Sequence, residues 1–120
     1  MLEKPDFRIL YRFFREDEGG RKSLPLQGYR SDWTYLNGET SQLYMIWPRF
    51  LDQEENELCS YQMIEMSGLA NMYIISDKLI NSVHKDKVKV GTRGFLMEGP
   101  KKVAEAEIIE VINLQKRVKR

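Results

Sequence analysis

The clearest signal in the chain is an alternation of apolar and polar residues with period two, interrupted at short intervals by turn residues. Phe7, Ile9, Tyr11 and Phe13 fall on one face of an extended segment, with Arg8 and Arg12 on the other. Leu10 and Phe14 leave that second face half polar, and the pattern predicts a first strand over residues 7–14. Glu16-Asp17-Glu18-Gly19-Gly20 stops it, the glycine pair permitting a tight reversal. Leu24-Pro25-Leu26 reads as an edge or connector, because proline cannot donate to a central ladder. Tyr29, Ser31, Trp33 and Tyr35 alternate with Arg30, Asp32 and Thr34 in a second strand, and Asn37-Gly38 signals a turn. From Gln42 to Phe50 both alternating sets are apolar, which predicts burial on two sides, with regular pairing ending at Trp47-Pro48.

Asp52-Gln53-Glu54-Glu55-Asn56-Glu57 is an acidic surface loop without the glycine and ligand spacing of a calcium-binding loop. Leu58 to Met66 is ambiguous and is closed by Ser67-Gly68; Met72 to Ile75 is a short strand. Residues 77–83 fit a helical turn or a connecting strand, and His84 to Lys87 a turn. Val88 to Met97 is a long strand in which Gly91 and Gly94 mark a bend or a close approach. Glu98-Gly99-Pro100-Lys101 is a hairpin turn leading to the last strand, Val103 to Ile112. A helix is the rival there, since Ala104, Ile108, Val111, Ile112 and Gln115 share a helical face. The alternation of Ala104, Ala106 and Ile108 with Glu105 and Glu107 favours a strand, with a bulge near Ile108–Ile109 where it slips. Short strands at regular spacing predict an all-β domain, an antiparallel six-stranded β-barrel over residues 1–114, followed by a basic tail at 115–120.

Composition bounds the partners. With 120 residues, 42% hydrophobic and 31% charged, the chain has the make-up of one globular domain. Its net charge of +1 selects no partner class, but residues 1–60 carry 8 Lys/Arg against 11 Asp/Glu, whereas residues 61–120 carry 11 against 7. Lys116, Arg117, Lys119 and Arg120 crowd the tail, which reads as a solvated end or as an electrostatic foot for RNA or an acidic protein. A single cysteine forbids an internal disulfide, and no apolar run reaches the roughly 18 residues of a membrane span. The charged N-terminus lacks a signal peptide's apolar core, and a cytoplasmic setting is expected.

Chemistry-bearing residues are sparse. His84 has Ser82 and Asp86 beside it, but the trio falls in a turn, and a solvated histidine is the ordinary reading. Cys59 adjoins the acidic loop, which works against a reactive thiolate, and no His/Cys cluster has zinc spacing. Glu105 and Glu107 share one strand face and read as solvated. Tyr29, Trp33, Tyr35, Tyr44 and Trp47 could stack on bases, although their period-two spacing favours core packing. No catalytic residue, metal or cofactor is expected.

Asp17-Glu18-Gly19-Gly20-Arg21 and Gly28-Tyr29-Arg30 resemble the C-terminal β-barrel domain of elongation factor Tu, where a first strand is followed by Asp-Glu-Gly-Gly-Arg, Gly-Tyr-Arg-Pro and an aromatic strand. Val90 to Glu98, Gly99 and Lys102 to Ile112 resemble that domain's closing hairpin. The two blocks cover roughly half of the chain, as one domain of ordinary size. Ser31 stands where the family has proline, Pro100-Lys101 replaces Gly-Arg, residues 43–69 have no good counterpart, and no Gly-x-x-x-x-Gly-Lys-[Ser/Thr] phosphate loop occurs. The resemblance implies a non-enzymatic barrel that docks on other molecules. Glu18, Gly19, Gly20, Arg21, Tyr29 and Arg30 map to a protein-binding face, which could also serve self-association; Arg21 and Arg30 could equally pair with Asp17 or Glu18 and simply hold the loop. The alternative partner is RNA, through Arg93, Lys101, Lys102, Lys116 and Arg117.

Overall fold

A computed structural model of the chain describes residues 4–36 and 42–119. Its central strand is β1, Phe7–Phe13, whose Phe7, Ile9, Tyr11 and Phe13 all point into the core, as their spacing requires. β1 pairs antiparallel with β4, Ser67–Ile74, on one side and with β6, Lys101–Val111, on the other. Beyond β6 lie β5, Arg93–Glu98, and then β2, Asp32–Tyr35; beyond β4 lies β3, Ile46–Phe50. The order β2-β5-β6-β1-β4-β3 is antiparallel throughout.

The sheet curls until its two edges approach. Trp33 and Tyr44 exchange both backbone hydrogen bonds across the seam, at 2.9 and 2.8 Å. Further along, the Gln27 side chain acts as a short surrogate strand. Its Oε1 accepts from the Phe50 N–H at 2.9 Å, and its Nε2 donates to the carbonyls of Phe50 at 3.0 Å and Leu58 at 3.1 Å. A buried amide is stable there because all these groups are paired. The result is an all-β, barrel-like fold of six strands.

The core is aromatic and tightly matched. Phe7 meets Trp33 edge-on at 5.8 Å, and Tyr11 meets Phe50 at 5.0 Å. Trp33 fits because β5 carries Gly94, opposite Tyr35, where the Trp33 ring packs. A Cβ on Gly94 would lie 2.4 Å from Trp33 Cζ2 and 2.5 Å from the Thr34 carbonyl oxygen, so this glycine marks the close approach that its position in the strand suggests. The bulge in β6 is also present: Arg8 faces Glu110 while Ile9 faces Ile108, leaving Ile109 as the extra residue. Residues 101–111 are strand and not helix.

Several boundaries differ from the sequence pattern. β2 starts at Asp32, with residues 29–31 leading in. β3 buries Ile46, Pro48 and Phe50, while its Trp47 and Arg49 are half-buried and Leu43 and Met45 just before it are exposed, so the two faces are not equally covered. Pro48 does not end its pairing; it sits opposite Met72, which an edge strand tolerates because its other side needs no ladder. Ser67-Gly68 opens β4 rather than closing an earlier element. Residues 77–87 form consecutive helical turns, and β5 begins only at Arg93. The Asn37-Gly38 turn lies outside the described residues.

The chain ends are tied together beside β1. The N–H of Ile112 donates to the Asp6 carbonyl at 2.9 Å, and Leu114 is fully buried at the start of a short helix, Leu114–Arg117. Asp6 has no exposed surface; its Oδ2 accepts from the Ile74 N–H at 2.8 Å and from Arg117 Nη1 at 2.6 Å. The same Arg117 nitrogen donates to the Ile74 carbonyl at 3.0 Å. The tail is therefore anchored through Arg117, not free from residue 115 onward.

Two substitutions test this packing by urea unfolding. Arg117→Met strands a buried carboxylate and is expected to cost about 3–5 kcal/mol, the range for breaking one half of a buried pair. Gly94→Ala is expected to cost about 1–3 kcal/mol through overpacking against Trp33.

Candidate functional site

The end of the barrel that carries the β5–β6 hairpin gathers most residues of interest. The loop after β1 begins with a single helical turn, Glu16–Glu18. The Glu18 carboxylate accepts from both Arg12 Nη atoms, at 2.9 and 3.2 Å, and from the Arg15 backbone N–H at 2.8 Å. These bonds, Arg12's first, hold its pKa well below the usual carboxylate range. Gly19 turns the chain at φ 91°, and a Cβ on Gly20 would sit 2.0 Å from the Phe14 carbonyl oxygen. The glycine pair is thus demanded by the backbone itself.

Asp17 and Glu18 pair with Arg15 and Arg12, so the pairing that the sequence suggested for Arg21 and Arg30 does not form. Arg21 instead reaches the hairpin, where its guanidinium and the Tyr29 hydroxyl both donate to Glu98 Oε2. Arg21 also lies over the Tyr29 ring at 5.2 Å. Burial would raise the Glu98 pKa, but the Tyr29 hydroxyl and then Arg21 outweigh it and leave it lowered. Tyr29 is correspondingly raised, by burial first and by Glu98 second. Arg30 stacks on Trp47 at 4.4 Å, across the seam.

The segment 58–66, which the sequence left ambiguous, straps this same end. Gln27 N–H donates to the Gln62 carbonyl at 2.8 Å, Tyr61 N–H to the Gln27 carbonyl at 3.0 Å, and Phe13 N–H to the Met66 carbonyl at 2.8 Å. Ile64 plugs into the core while its neighbour Met63 faces out, bridged to Leu26. Five of the eleven large apolar side chains exposed among the described residues, Leu24, Leu26, Tyr61, Met63 and Met66, lie on these two mutually paired segments. Tyr61 is 81% exposed and adopts φ 65°, in the turn closed by the Gln62 N–H on the Cys59 carbonyl. A bulky residue in that region carries strain on the order of 1–3 kcal/mol. The only sequence signal for this face was that 58–66 fitted no regular element.

The basic candidates are divided. Lys101 and Lys102 stand at the hairpin, Lys102 over the Phe95 ring at 4.3 Å. Arg93 is at the far end of β5, roughly 16 Å away at ordinary strand rise, facing Glu107 at 3.6 Å. Lys116 and Arg117 lie on the terminal helix, with Arg117 consumed by Asp6. Of the aromatics, Trp33, Tyr35 and Tyr44 are core residues, as their spacing favoured.

His84 is not a solvated turn residue. It is 2% exposed, its Nδ1 shares a 2.7 Å hydrogen bond with the Tyr35 hydroxyl, and its ring meets Tyr44 edge-on at 5.0 Å. The sequence reading missed this because the helical turns of 77–87, not a loop, carry it inward. Burial, then the nearby charges of Arg117 and Lys87, lowers its pKa to about 4. Ser82 and Asp86 make no hydrogen bond with it, and among the described residues no group of three or more His, Cys, Asp or Glu could hold a metal ion.

These features define a β-barrel-like protein whose distinctive surface is an apolar face at one barrel end, locked in place by hydrogen bonds. No protein-family model matches the chain, and no curated protein matches it. Among the described residues no helix is long and apolar enough to cross a membrane.

His84 gives a test of the interior. Its folded pKa lies below its ordinary 6.5, so the neutral form is favoured by folding. Its contribution is complete above pH 6.5 and is lost as pH falls toward about 4, on the order of 3 kcal/mol in all. Chemical denaturation across pH 7 to 4.5 should show stability falling, and the slope should largely vanish in His84→Gln.

Proposed function

We propose that this chain is a non-enzymatic binding module whose partner is a protein, and that the partner docks on the barrel end formed by residues 21–30 and 58–66. The observation that carries this reading is the exposure of Tyr61 and Met63 beside Leu24 and Leu26, on backbone that is hydrogen-bonded and not loose. Exposed apolar groups scattered singly need no explanation, but a cluster of them marks an interaction surface. Tyrosine and methionine are enriched at the centres of such interfaces, and a ring already held in place loses little freedom on binding. Arg21, Tyr29 and the Gly19-Gly20 loop, the residues assigned to a protein face on the resemblance to the elongation factor Tu barrel, lie at this same end. In that family the barrel is a docking domain without catalytic residues, and a docking role here is in keeping with it.

RNA remains the alternative partner, carried by Lys101 and Lys102. It has less support, because Arg93 and Arg117 face carboxylates and stand away from the hairpin.

Tagged wild-type protein and the variant Tyr61→Glu/Met63→Glu should be compared in affinity capture, with circular dichroism to check folding. A specific protein recovered by the wild type and lost at least tenfold in the variant is the expected result, since removal of interface anchors costs about 2 kcal/mol or more each. Equal recovery by both would remove this face from the proposal. Salt-sensitive retention of RNA by both would favour the alternative.

A further inference from the structure

The outer wall of the barrel carries a second feature, which shares no residue with the docking face. A groove of about 410 Å³ crosses β1, β6 and β5, within the size range of small-molecule sites. Its wall is set by cross-strand register: Leu10, Glu107 and Arg93 form one row, and Arg12, Glu105 and Phe95 the next. Leu36 closes the β2 side, its N–H bonded to the Arg93 carbonyl at 2.9 Å. Leu10 and Leu36 are 52% and 45% exposed, so the apolar part of the lining is open to an occupant.

The charges in the two rows are not equivalent. Arg12 is committed, with two bonds to Glu18 and one to Glu105 at 3.3 Å. Arg93 is not. Its Nε stands 3.6 Å from Glu107 Oε1, beyond hydrogen-bond range, and its side chain is 69% exposed. Among the described residues its guanidinium makes no hydrogen bond. The groove therefore offers a guanidinium and a carboxylate that are ion-paired at 3.6 Å without a hydrogen bond between them, next to two exposed leucines.

We propose that this groove binds a zwitterionic α-amino acid with an apolar side chain. Arg93 takes the ligand's carboxylate through its planar fork, which suits that group. Glu107 takes the ammonium, and Leu10, Leu36 and Phe95 take the side chain. A bare anion is disfavoured by Glu105 and Glu107, and a bare cation by Arg12 and Arg93. A ligand carrying both charges a few atoms apart satisfies the pair without leaving either unpaired.

The test uses L-leucine as probe, with N-acetyl-leucine lacking the ammonium and leucinamide lacking the carboxylate. Chemical-shift mapping of the labelled protein should show leucine perturbing the amides of Leu10, Leu36 and Arg93. Each capped probe should bind about tenfold more weakly, the loss expected for one charge-assisted hydrogen bond. Arg93→Gln should make leucine and leucinamide equivalent, and Glu107→Gln should do the same for leucine and N-acetyl-leucine. No groove perturbation by leucine at tens of millimolar, or equal binding of the three probes, would overturn the proposal. Should either variant fail to fold, the three probes on the wild type still decide it.

Discussion

The carboxylate of Asp6 is the tie on which the arrangement of strands depends. It has no access to water, and it meets the last backbone N–H of β4 and a guanidinium from the far end of the chain. One oxygen thereby fixes three elements: the entry to β1, the exit of β4 and the helix after β6. Isolating a charge like this is costly unless it is paired, and it is the terminal helix that supplies the cation. This ties the helix Leu114–Arg117 to the sheet. It also commits Arg117 to Asp6, although its setting in a basic tail made it look available.

With the ends tied, β1 can sit at the centre and the sheet can curl around its aromatic stripe. The curl is completed by matching, not by a full ladder. Trp33 needs Gly94, the Trp33–Tyr44 pair closes one part of the seam, and Gln27 closes another with a side chain in place of a strand. A seam made this way leaves β3 an edge strand, which is why Pro48 is accommodated within it.

The features legible in the sequence are those with a local cause. The stripe of β1, the Gly94 approach, the Glu98–Lys101 hairpin and the bulge at Ile109 each follow from residue type and spacing. The misread features depend on contacts across the chain. His84 is drawn inward by helical turns that the sequence offered only as one option, and Arg21 pairs with Glu98, 77 residues away, instead of with its neighbours. The apolar character of Gln42 to Phe50 was read as burial on two sides, yet Leu43 and Met45 remain 36% and 50% exposed. Periodicity reports which face of a strand is apolar; it does not report whether a second layer exists.

The strap 58–66 shows how structure and surface chemistry are joined. Ile64 must enter the core to seal the barrel end, and strand-like alternation then forces Met63 outward. Tyr61 is different, because nothing in the sealing of the core requires a large ring at φ 65°, where glycine or asparagine would cost less. A large side chain that is exposed and held in an unfavourable backbone conformation is the observation on which the proposed docking face rests. The proposed docking face is therefore put here rather than at the Gly19-Gly20 loop, whose glycines the backbone itself demands.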